Sequence, residues 1–449
     1  MSFRYISHLE NCFLRLFIIV VFIGNILIGC SEQDRILPGK REDPASSFGL
    51  AGHDKIVFSI NDDIKLPLMQ VNDEWRLVSS EVSKDYPNLT LAENLKEIWS
   101  VSIGKGDSKK KRLVTDPIFF EKKIFTLDAN SVASAFDEEG KLLWRKDLTP
   151  PGEKSGDIFG GGFSFGQDQL FVTLGYGFLL SLNPSTGEEN WSQRLIGSGN
   201  NTPIFNDGLV YLVSGDAKAW AIDANKGRVK WTVDTIGNET NLISNNAPAV
   251  SDKYAVFGLG NGEIYVTFKK GGYVLWNSSL TGRNDSRVLS AIDDIVASPV
   301  VIDRNIYAAD GSGKVVSLKI ESGERNWTAP YGSNGNFWIA DKSLFFIADT
   351  NKLVRLDIKT GKTVWHTELP FLSHERIFQS KKNIQHYGPI IAGNQLIVVS
   401  SDGYFRFYDP KTGEQKSKFK TKARATVNPI VVNETLYLIT HDGKLRAFR

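Results

Sequence analysis

The sequence predicts an all-β protein made of eight copies of one unit, each with room for four short strands. Three observations predict this. The chain is rich in aromatic residues (11%) and contains 40 glycines. A Gly-x-x-x-Trp element recurs about every 45 residues. A second apolar element with a central turn precedes each copy, and long helical periods are few. With 449 residues, 41% of them hydrophobic, the chain can bury a large core.

The amino-terminal 29 residues have the features of a secretory signal. Arg4 and Arg15 precede an apolar run that is shorter than the ~20 residues needed to span a bilayer core. The run ends in Leu-Ile-Gly-Cys, which is typical of a bacterial lipobox. We therefore predict that residues 1–29 are removed and that Cys30 becomes the lipidated first residue. The alternative is an ordinary signal or membrane anchor in which Cys30 has no special role.

Two segments separate this signal from the repeats. Residues 30–53 contain few large apolar side chains and several charges, so we expect them to form a tether. Residues 54–94 contain two candidate strands, Lys-Ile-Val-Phe-Ser-Ile and Glu-Trp-Arg-Leu-Val-Ser. We predict an arm that packs on the rim of the repeat domain, with partial disorder as the alternative. The repeat domain itself is predicted to cover residues 95–449.

The Gly-x-x-x-Trp element has the composition of a β-hairpin. An Asp or Asn side chain accepts backbone N–H bonds in the turn, glycine supplies positive φ, and an alternating strand follows. A seventh copy keeps Asp409 and Gly413 but has Ser417 in place of tryptophan. Because each indole can bury ~150–250 Å², we predict a structural role for these side chains. The six tryptophans are Trp144, Trp191, Trp231, Trp276, Trp327 and Trp365.

Eight upstream elements accompany only seven downstream elements, and this difference predicts how the chain closes. The upstream elements begin at Pro117, Phe163, Pro203, Pro248, Pro299, Phe337, Pro389 and Pro429. The last unit ends at Arg449 without a final strand, whereas an extra strand containing Trp99 precedes the first unit. We therefore predict an eight-bladed β-propeller with four-stranded blades, closed by pairing of the amino- and carboxy-terminal strands. Trp99 then joins the other six as a docking tryptophan.

Few residues indicate catalysis, metal binding or nucleic-acid binding. Cys12 and Cys30 are the only cysteines, so the mature chain has no disulfide and no thiolate metal site. The six histidines form no HxxH or HExxH pair. A net charge of +2 does not indicate nucleic acid as a partner. We expect no enzymatic activity, no cofactor and no metal.

Two features are candidates for surface contacts. Residues 104–112, Gly-Lys-Gly-Asp-Ser-Lys-Lys-Lys-Arg, form the sharpest cluster of charge. Such a cluster can meet an acidic patch or anionic lipid headgroups, at ~1 kcal/mol per basic residue, or can be a solvated loop. Trp338, Phe371 and Phe378 are candidate partner-surface residues that could equally belong to the core.

The Leu-Asp-x-x-Thr-Gly-x-x-x-Trp element resembles the tryptophan-docking repeat of the pyrroloquinoline-quinone-like propellers. It is not a WD40 repeat, since aspartate never follows the tryptophan. Quinoprotein dehydrogenases carry such blades, and so do the BamB lipoproteins of the outer-membrane β-barrel assembly machinery. The lipobox, the segment 36–44 after it and the array of repeats over 95–449 together resemble the BamB family.

This resemblance implies a non-catalytic scaffold that binds the POTRA domains of BamA and assists insertion of outer-membrane proteins. It also implies a monomer lipid-anchored in the outer membrane, facing the periplasm, with other assembly-machinery subunits and unfolded outer-membrane proteins as further candidate partners. Ser31, rather than aspartate, after the lipidated position favours the outer membrane.

In the BamB family, two loops that precede neighbouring blades contact BamA. Carried onto this chain, the first loop gives Leu242 and Ile243, and the second gives Asp294. Ile243 stands where arginine is common, and Val296 replaces a second acidic residue. The charge pairing of the family is therefore half missing, and an apolar contact around Leu242 and Ile243 is expected in its place, unless the mode of binding differs.

Two other functions remain open at this point. The first is a periplasmic quinoprotein dehydrogenase with pyrroloquinoline quinone in the central channel. Such enzymes typically carry a vicinal cysteine pair, which this sequence cannot form, and a Ca²⁺ ion held by acidic ligands. The second is a propeller that binds a cell-wall or sugar ligand, for which no motif is present beyond a general aromatic content.

Overall fold

The computed structural model describes residues 64–76, 86–235, 246–280, 295, 297–311, 313–333, 335–372, 383–421 and 424–449. Within these ranges every regular element is a β-strand, and no helix suited to crossing a membrane is found. The candidate site residues Cys30, Leu242, Ile243, Asp294 and Phe378 lie outside the described ranges.

The strands form eight sheets, seven of four strands and one of six, so the predicted all-β fold of eight units is confirmed. Three strands precede the repeats: β1 (Met69–Gln70), β2 (Asn88–Leu89) and β3 (Glu97–Ser102). Sheet 1 contains β4 (Ile118–Phe120), β5 (Lys123–Leu127), β6 (Val132–Asp137) and β7 (Leu142–Asp147). Sheet 2 contains β8 (Phe163–Gly166), β9 (Gln169–Leu174), β10 (Phe178–Leu182) and β11 (Glu189–Arg194). Sheet 3 contains β12 (Ile204–Asn206), β13 (Leu209–Val213), β14 (Ala219–Asp223) and β15 (Val229–Val233). Sheet 4 contains β16 (Ala249–Val250), β17 (Tyr254–Gly258), β18 (Glu263–Phe268) and β19 (Val274–Ser279).

The remaining sheets repeat the same order. Sheet 5 contains β20 (Val300–Ile302), β21 (Asn305–Ala309), β22 (Val315–Lys319) and β23 (Arg325–Ala329). Sheet 6 contains β24 (Trp338–Ala340), β25 (Ser343–Ala348), β26 (Lys352–Asp357) and β27 (Thr363–Glu368). Sheet 7 contains β28 (His386–Ala392), β29 (Gln395–Ser400), β30 (Tyr404–Tyr408) and β31 (Gln415–Lys420), together with β1 and β2. Sheet 8 contains β32 (Ile430–Val432), β33 (Thr435–Thr440) and β34 (Lys444–Phe448), together with β3.

Burial within a sheet changes from its first strand to its last. Strands in the second position, such as β25, are buried along their whole length because sheets cover them on both sides. Strands in the fourth position, such as β11, are mostly exposed. First strands of neighbouring sheets, such as β4 and β8, contact each other. The apolar core therefore lies between neighbouring sheets, and the fourth strands form the outer surface.

The first and last strands of the repeat domain meet in sheet 8. Strand β3 pairs antiparallel with β34, with Trp99 opposite Ala447. Lys96 and Arg449 exchange two backbone hydrogen bonds of 2.9 and 3.0 Å just beyond this pair. The predicted pairing of the amino- and carboxy-terminal strands is therefore present, and it supplies the strand that the last repeat lacks.

The described part of the arm contacts the first strands of several sheets. Strand β2 pairs parallel with β28 at Leu89 and Ala392, and β1 pairs parallel with β2. Trp75 forms a two-way backbone bridge with Phe119 of sheet 1. The first strand of a sheet has one edge without a partner in its own repeat, and β2 pairs with β28 at that edge. The spacing of apolar residues does not show which edge accepts the arm.

Candidate functional site

The antiparallel order of each sheet separates its connections into two faces. Turns between first and second strands, and between third and fourth strands, lie on what we call the turn face. Turns between second and third strands, and the segments that lead into the next sheet, lie on the connection face. The arm meets the ends of the first strands on the turn face, where Lys65 N–H donates to Asp341 Oδ2 (3.2 Å) and Asn433 N–H donates to the carbonyl of Asn72 (2.9 Å).

The ends of the two predicted partner loops are tied together on the connection face. Asn246 directly follows the first loop (236–245), and Ile295 directly follows the second (281–294). Asn246 is 4% exposed, and its Nδ2 donates to the carbonyls of Ile295 (2.9 Å) and Gly258 (3.2 Å). Because one buried amide joins them, the residues that follow the two loops lie side by side at the entrances of sheets 4 and 5.

Seven tryptophans pack against glycines of the following sheet. The receiving glycines have φ between +66° and +82°. A Cβ atom built on Gly361 would lie 2.5 Å from the ring of Trp327, so this turn needs glycine for its backbone and for its contact. Each indole N–H also donates to a backbone carbonyl of the following sheet: Trp99 to Glu138 (3.0 Å), Trp144 to Pro184 (2.9 Å), Trp191 to Ala224 (2.9 Å), Trp231 to Lys269 (3.1 Å), Trp276 to Ile320 (2.8 Å), Trp327 to Ile358 (3.0 Å) and Trp365 to Pro410 (3.1 Å).

The exception at Ser417 has a structural cause. A tryptophan docks on the turn between the third and fourth strands of the next sheet. In sheet 8 these strands are β34 and β3, which are the two ends of the chain and share no turn. An indole at position 417 would find no glycine turn. At this junction Phe448 instead packs against Phe405 and Phe419, at ring-centroid distances of 4.9 and 6.3 Å.

First strands and the residues before them enclose a cavity with about 450 Å³ of empty space, part of it open solvent. Trp75 from the arm lines it and stacks on Trp338 at 6.2 Å. Asp116 lies in the same wall and accepts hydrogen bonds from Asn428 N–H and Nδ2, both 2.9 Å. Burial raises the pKa of Asp116 to about 6, although the Asn428 bonds oppose this shift. Trp338, 3% exposed, is thus a wall residue, whereas Phe371 is 51% exposed.

The residues of this cavity do not fit a quinone with a calcium ion. Ca²⁺ takes about six to eight oxygen ligands, several of them carboxylates. The cavity wall supplies one carboxylate, Asp116, and Asn428 already donates to both of its oxygens. In the described part of the chain, no three His, Cys, Asp or Glu side chains are grouped to hold a metal ion.

Comparison with known proteins agrees with the repeat and the fold. The family described as outer membrane protein assembly factor BamB matches residues 128–367 and 348–449. The chain belongs to the BamB family. The BamB of Yersinia pestis is 21% identical over 361 residues, which cover 78% of this chain and 88% of that protein.

Solved structures show that BamB blades share their fold with enzymes. The crystal structure of BamB from Moraxella catarrhalis has a TM-score of 0.63 and 17% identity, covering 79% of this chain and 100% of that chain. A europium-containing methanol dehydrogenase has a TM-score of 0.64 and 12% identity, covering 84% of this chain and 98% of that chain. Fold likeness alone therefore does not separate BamB proteins from dehydrogenases, and the family match is what assigns this chain to BamB.

Proposed function

We propose that this chain is a non-catalytic scaffold of the outer-membrane β-barrel assembly machinery and binds the POTRA domains of BamA. The family match over most of the repeat domain carries this proposal. The donor set of the cavity beside Trp75 supports it, because that cavity offers one engaged carboxylate where a quinoprotein centre needs several oxygen ligands. The repeated residues, tryptophan and glycine, serve contacts between sheets.

The proposed contact with BamA uses the loops that carry Leu242, Ile243 and Asp294. The hydrogen bond from Asn246 to Ile295 supports a single site, since it holds the exits of both loops side by side. Isoleucine in place of the usual arginine makes the proposed contact more apolar than in other members. The affinity for BamA then depends on the apolar area buried around Leu242 and Ile243, and Asp294 supplies one polar contact.

We further propose that Cys30 carries lipid and anchors the protein in the outer membrane on the periplasmic side. The signal-like run before Cys30 and the family match support this location. Residues 30–53 then connect the lipid to the folded part of the chain.

The test is retention on purified BamA POTRA domains. Changing Leu242, Ile243 and Asp294 together to alanine should lower retention at least tenfold without changing the unfolding transition, as expected when central contacts are removed. A matched control changes Leu142, Leu143 and Asp147, which are exposed on the outer strand of sheet 1, and should retain POTRA domains like the parent. Unchanged retention of the triple variant would show that the site is elsewhere. Failure of the parent itself to bind would contradict the scaffold proposal.

A further inference from the structure

The basic segment 104–112 lies on the connection face beside two segments that are remote in sequence. Asp107 N–H donates to the carbonyl of His441 (2.8 Å), and His441 N–H donates to the carbonyl of Arg424 (3.0 Å). Ala425 N–H donates in turn to the carbonyl of Ser400 (3.3 Å). A backbone-bonded surface thus crosses from sheet 7 through sheet 8 to the entrance of sheet 1. Its cationic residues form what we call the basic belt: Lys105, Lys109, Lys110, Lys420, Arg424 and Lys444.

The acidic residues beside the belt are already engaged. Three form ion pairs with arginines: Asp107 with Arg112 (3.6 Å), Asp402 with Arg406 (3.2 Å) and Asp442 with Arg446 (2.9 Å). A fourth, Asp128, is buried and accepts backbone N–H bonds. The five lysines of the belt are exposed. Their charges are thus left over after the local acids are neutralised, and they concentrate positive charge on a chain whose net charge is only +2.

The segment that carries three of these lysines is held in place by hydrogen bonds. Lys105 N–H donates to Asp128 Oδ2 (2.7 Å), and Leu113 N–H donates to Asp107 Oδ1 (2.7 Å). Ser108 N–H donates to the carbonyl of Lys111 (2.9 Å). The positions of these backbone atoms are therefore fixed, so the belt presents its charges without a large ordering cost.

An exposed aromatic side chain lies next to the belt on the same face. Phe371 is 51% exposed, and its carbonyl accepts a hydrogen bond from Ile384 N–H (2.9 Å). The carbonyl of the next residue, Gln385, accepts a hydrogen bond from Ser401 N–H (2.9 Å). Ser401 follows Ser400, whose carbonyl accepts the bond from Ala425 N–H. Exposed lysines and an exposed aromatic ring on one face match the interfacial region of a membrane, where charges meet phosphates and a ring enters the headgroup layer.

We propose that the basic belt docks onto a membrane surface that carries anionic lipid headgroups. The lysines contact lipid phosphates, and Phe371 inserts between headgroups. The observations favour lipid over an acidic protein because the belt extends across parts of three sheets, has one sign and shares its face with an exposed ring. Asn246 and Ile295, which follow the loops proposed to contact BamA, lie at the entrances of sheets 4 and 5, on another part of the connection face. This inference does not depend on the proposed function.

The test is cosedimentation with vesicles of phosphatidylcholine alone or with about 30% phosphatidylglycerol. The tested protein contains residues 31–449 and is secreted with a cleavable leader that has no lipobox. It therefore lacks Cys30 and carries no lipid anchor. We expect binding to the anionic vesicles only, and loss of binding at high salt, where exposed charges are screened. Each basic residue contributes about fivefold, so changing Lys109→Gln and Lys110→Gln together should lower the partition coefficient about 25-fold.

A matched control separates the belt from general charge effects. Lys359 and Lys362 are exposed on the turn face of sheet 6, and changing both to glutamine should leave vesicle binding unchanged. Lys420→Gln with Lys444→Gln should weaken binding like the first pair, because these residues lie in a different segment of the same belt. Equal binding to both kinds of vesicle would overturn the proposal, and so would equal weakening by the control pair. Loss of POTRA retention by the Lys109 and Lys110 variant, with vesicle binding intact, would assign the belt to a protein partner and overturn it too.

Discussion

Seven junctions between neighbouring sheets contain an indole packed on a glycine turn, whereas the junction between sheets 7 and 8 has Ser417 at that position. At the junction of sheets 6 and 7, Trp365 is 1% exposed and its N–H donates to the carbonyl of Pro410 (3.1 Å). At the junction of sheets 7 and 8, Ser417 is exposed and Phe448 packs against Phe405 instead. The difference shows that a docking tryptophan is present only where the next sheet has a glycine turn to receive its ring. In sheet 8 the third and fourth strands share no turn, and the sequence has serine instead of tryptophan at position 417.

The sheet that contains the chain ends relies more on charged groups than the indole junctions do. Arg446, 7% exposed, donates to both carboxylate oxygens of Glu97 (3.1 Å each) and to Asp442 (2.9 Å). Glu97 lies on the amino-terminal strand and Arg446 on the carboxy-terminal strand. Arg446 thus links strands β3 and β34. Its contribution to the free energy of unfolding depends on pH and salt, whereas that of an indole contact does not.

The largest expected effect is at an indole junction. Trp365→Ala should lower the free energy of unfolding by about 3–5 kcal/mol, because it removes a fully buried ring and leaves a cavity. Trp231→Ala should act in the same direction, with less effect because this ring is partly exposed. Denaturant unfolding measures both changes. A loss below about 1 kcal/mol for Trp365→Ala would contradict the structural role of the indoles.

A smaller effect is expected in the sheet that joins the chain ends. Arg446→Gln should cost about 2 kcal/mol at neutral pH, since hydrogen bonds to charged groups are lost. Burial alone would favour neutral Asp442, but the Thr440 hydrogen bond and the charge of Arg446 hold its pKa below the ordinary value. The stability that this carboxylate contributes is thus present above its unfolded pKa and is lost as the pH falls through the lower folded pKa.

This pH dependence gives the second measurement for Arg446→Gln. The difference in unfolding free energy between the parent and the variant should shrink on acidification below about pH 4, where Asp442 becomes protonated. Arg325→Gln, a change at an exposed arginine on the outer strand of sheet 5, serves as the control and should stay within about 0.5 kcal/mol. A difference that is constant with pH would show that the ion pairs do not hold the chain ends.

The smallest expected effect tests the absence of a turn directly. Ser417→Trp places an indole at the eighth junction, where no glycine turn can receive it. The unfolding free energy should change by less than about 0.5 kcal/mol, as for other exposed substitutions. A gain comparable with the loss in Trp365→Ala would mean that the indole finds a docking surface at the chain ends, and the comparison between junctions would fail.

Much of this fold could be predicted from local spacing. Each repeat carries its own turn residues and its own tryptophan, so the sheets follow from the sequence of a single unit. Pairing of β3 with β34 followed from counting eight upstream and seven downstream elements. The position of the arm could not be predicted in this way, because β2 adds to the free edge of β28, about 300 residues further along the chain.

Local sequence also could not predict which of the candidate partner-surface residues are exposed, or which segments form the basic belt. Trp338 and Phe371 are both aromatic residues near the start or end of a sheet, yet one is buried against Trp75 and the other is exposed. The basic belt combines residues 104–112 with Arg424 and Lys444, and no local pattern links these segments. Contacts of this kind depend on which sheets become neighbours, and this is settled only when the whole chain has folded.

The pairing of β3 with β34 also sets an order of events during synthesis of the chain. Glu97 is synthesised early, but its partner Arg446 follows 349 residues later. Until the last residues have been added, β3 has no strand to pair with, and the arm lacks its sites on sheets 6 and 7. The growing chain therefore carries unpaired strand edges until it is complete, and such edges can pair with other chains and aggregate.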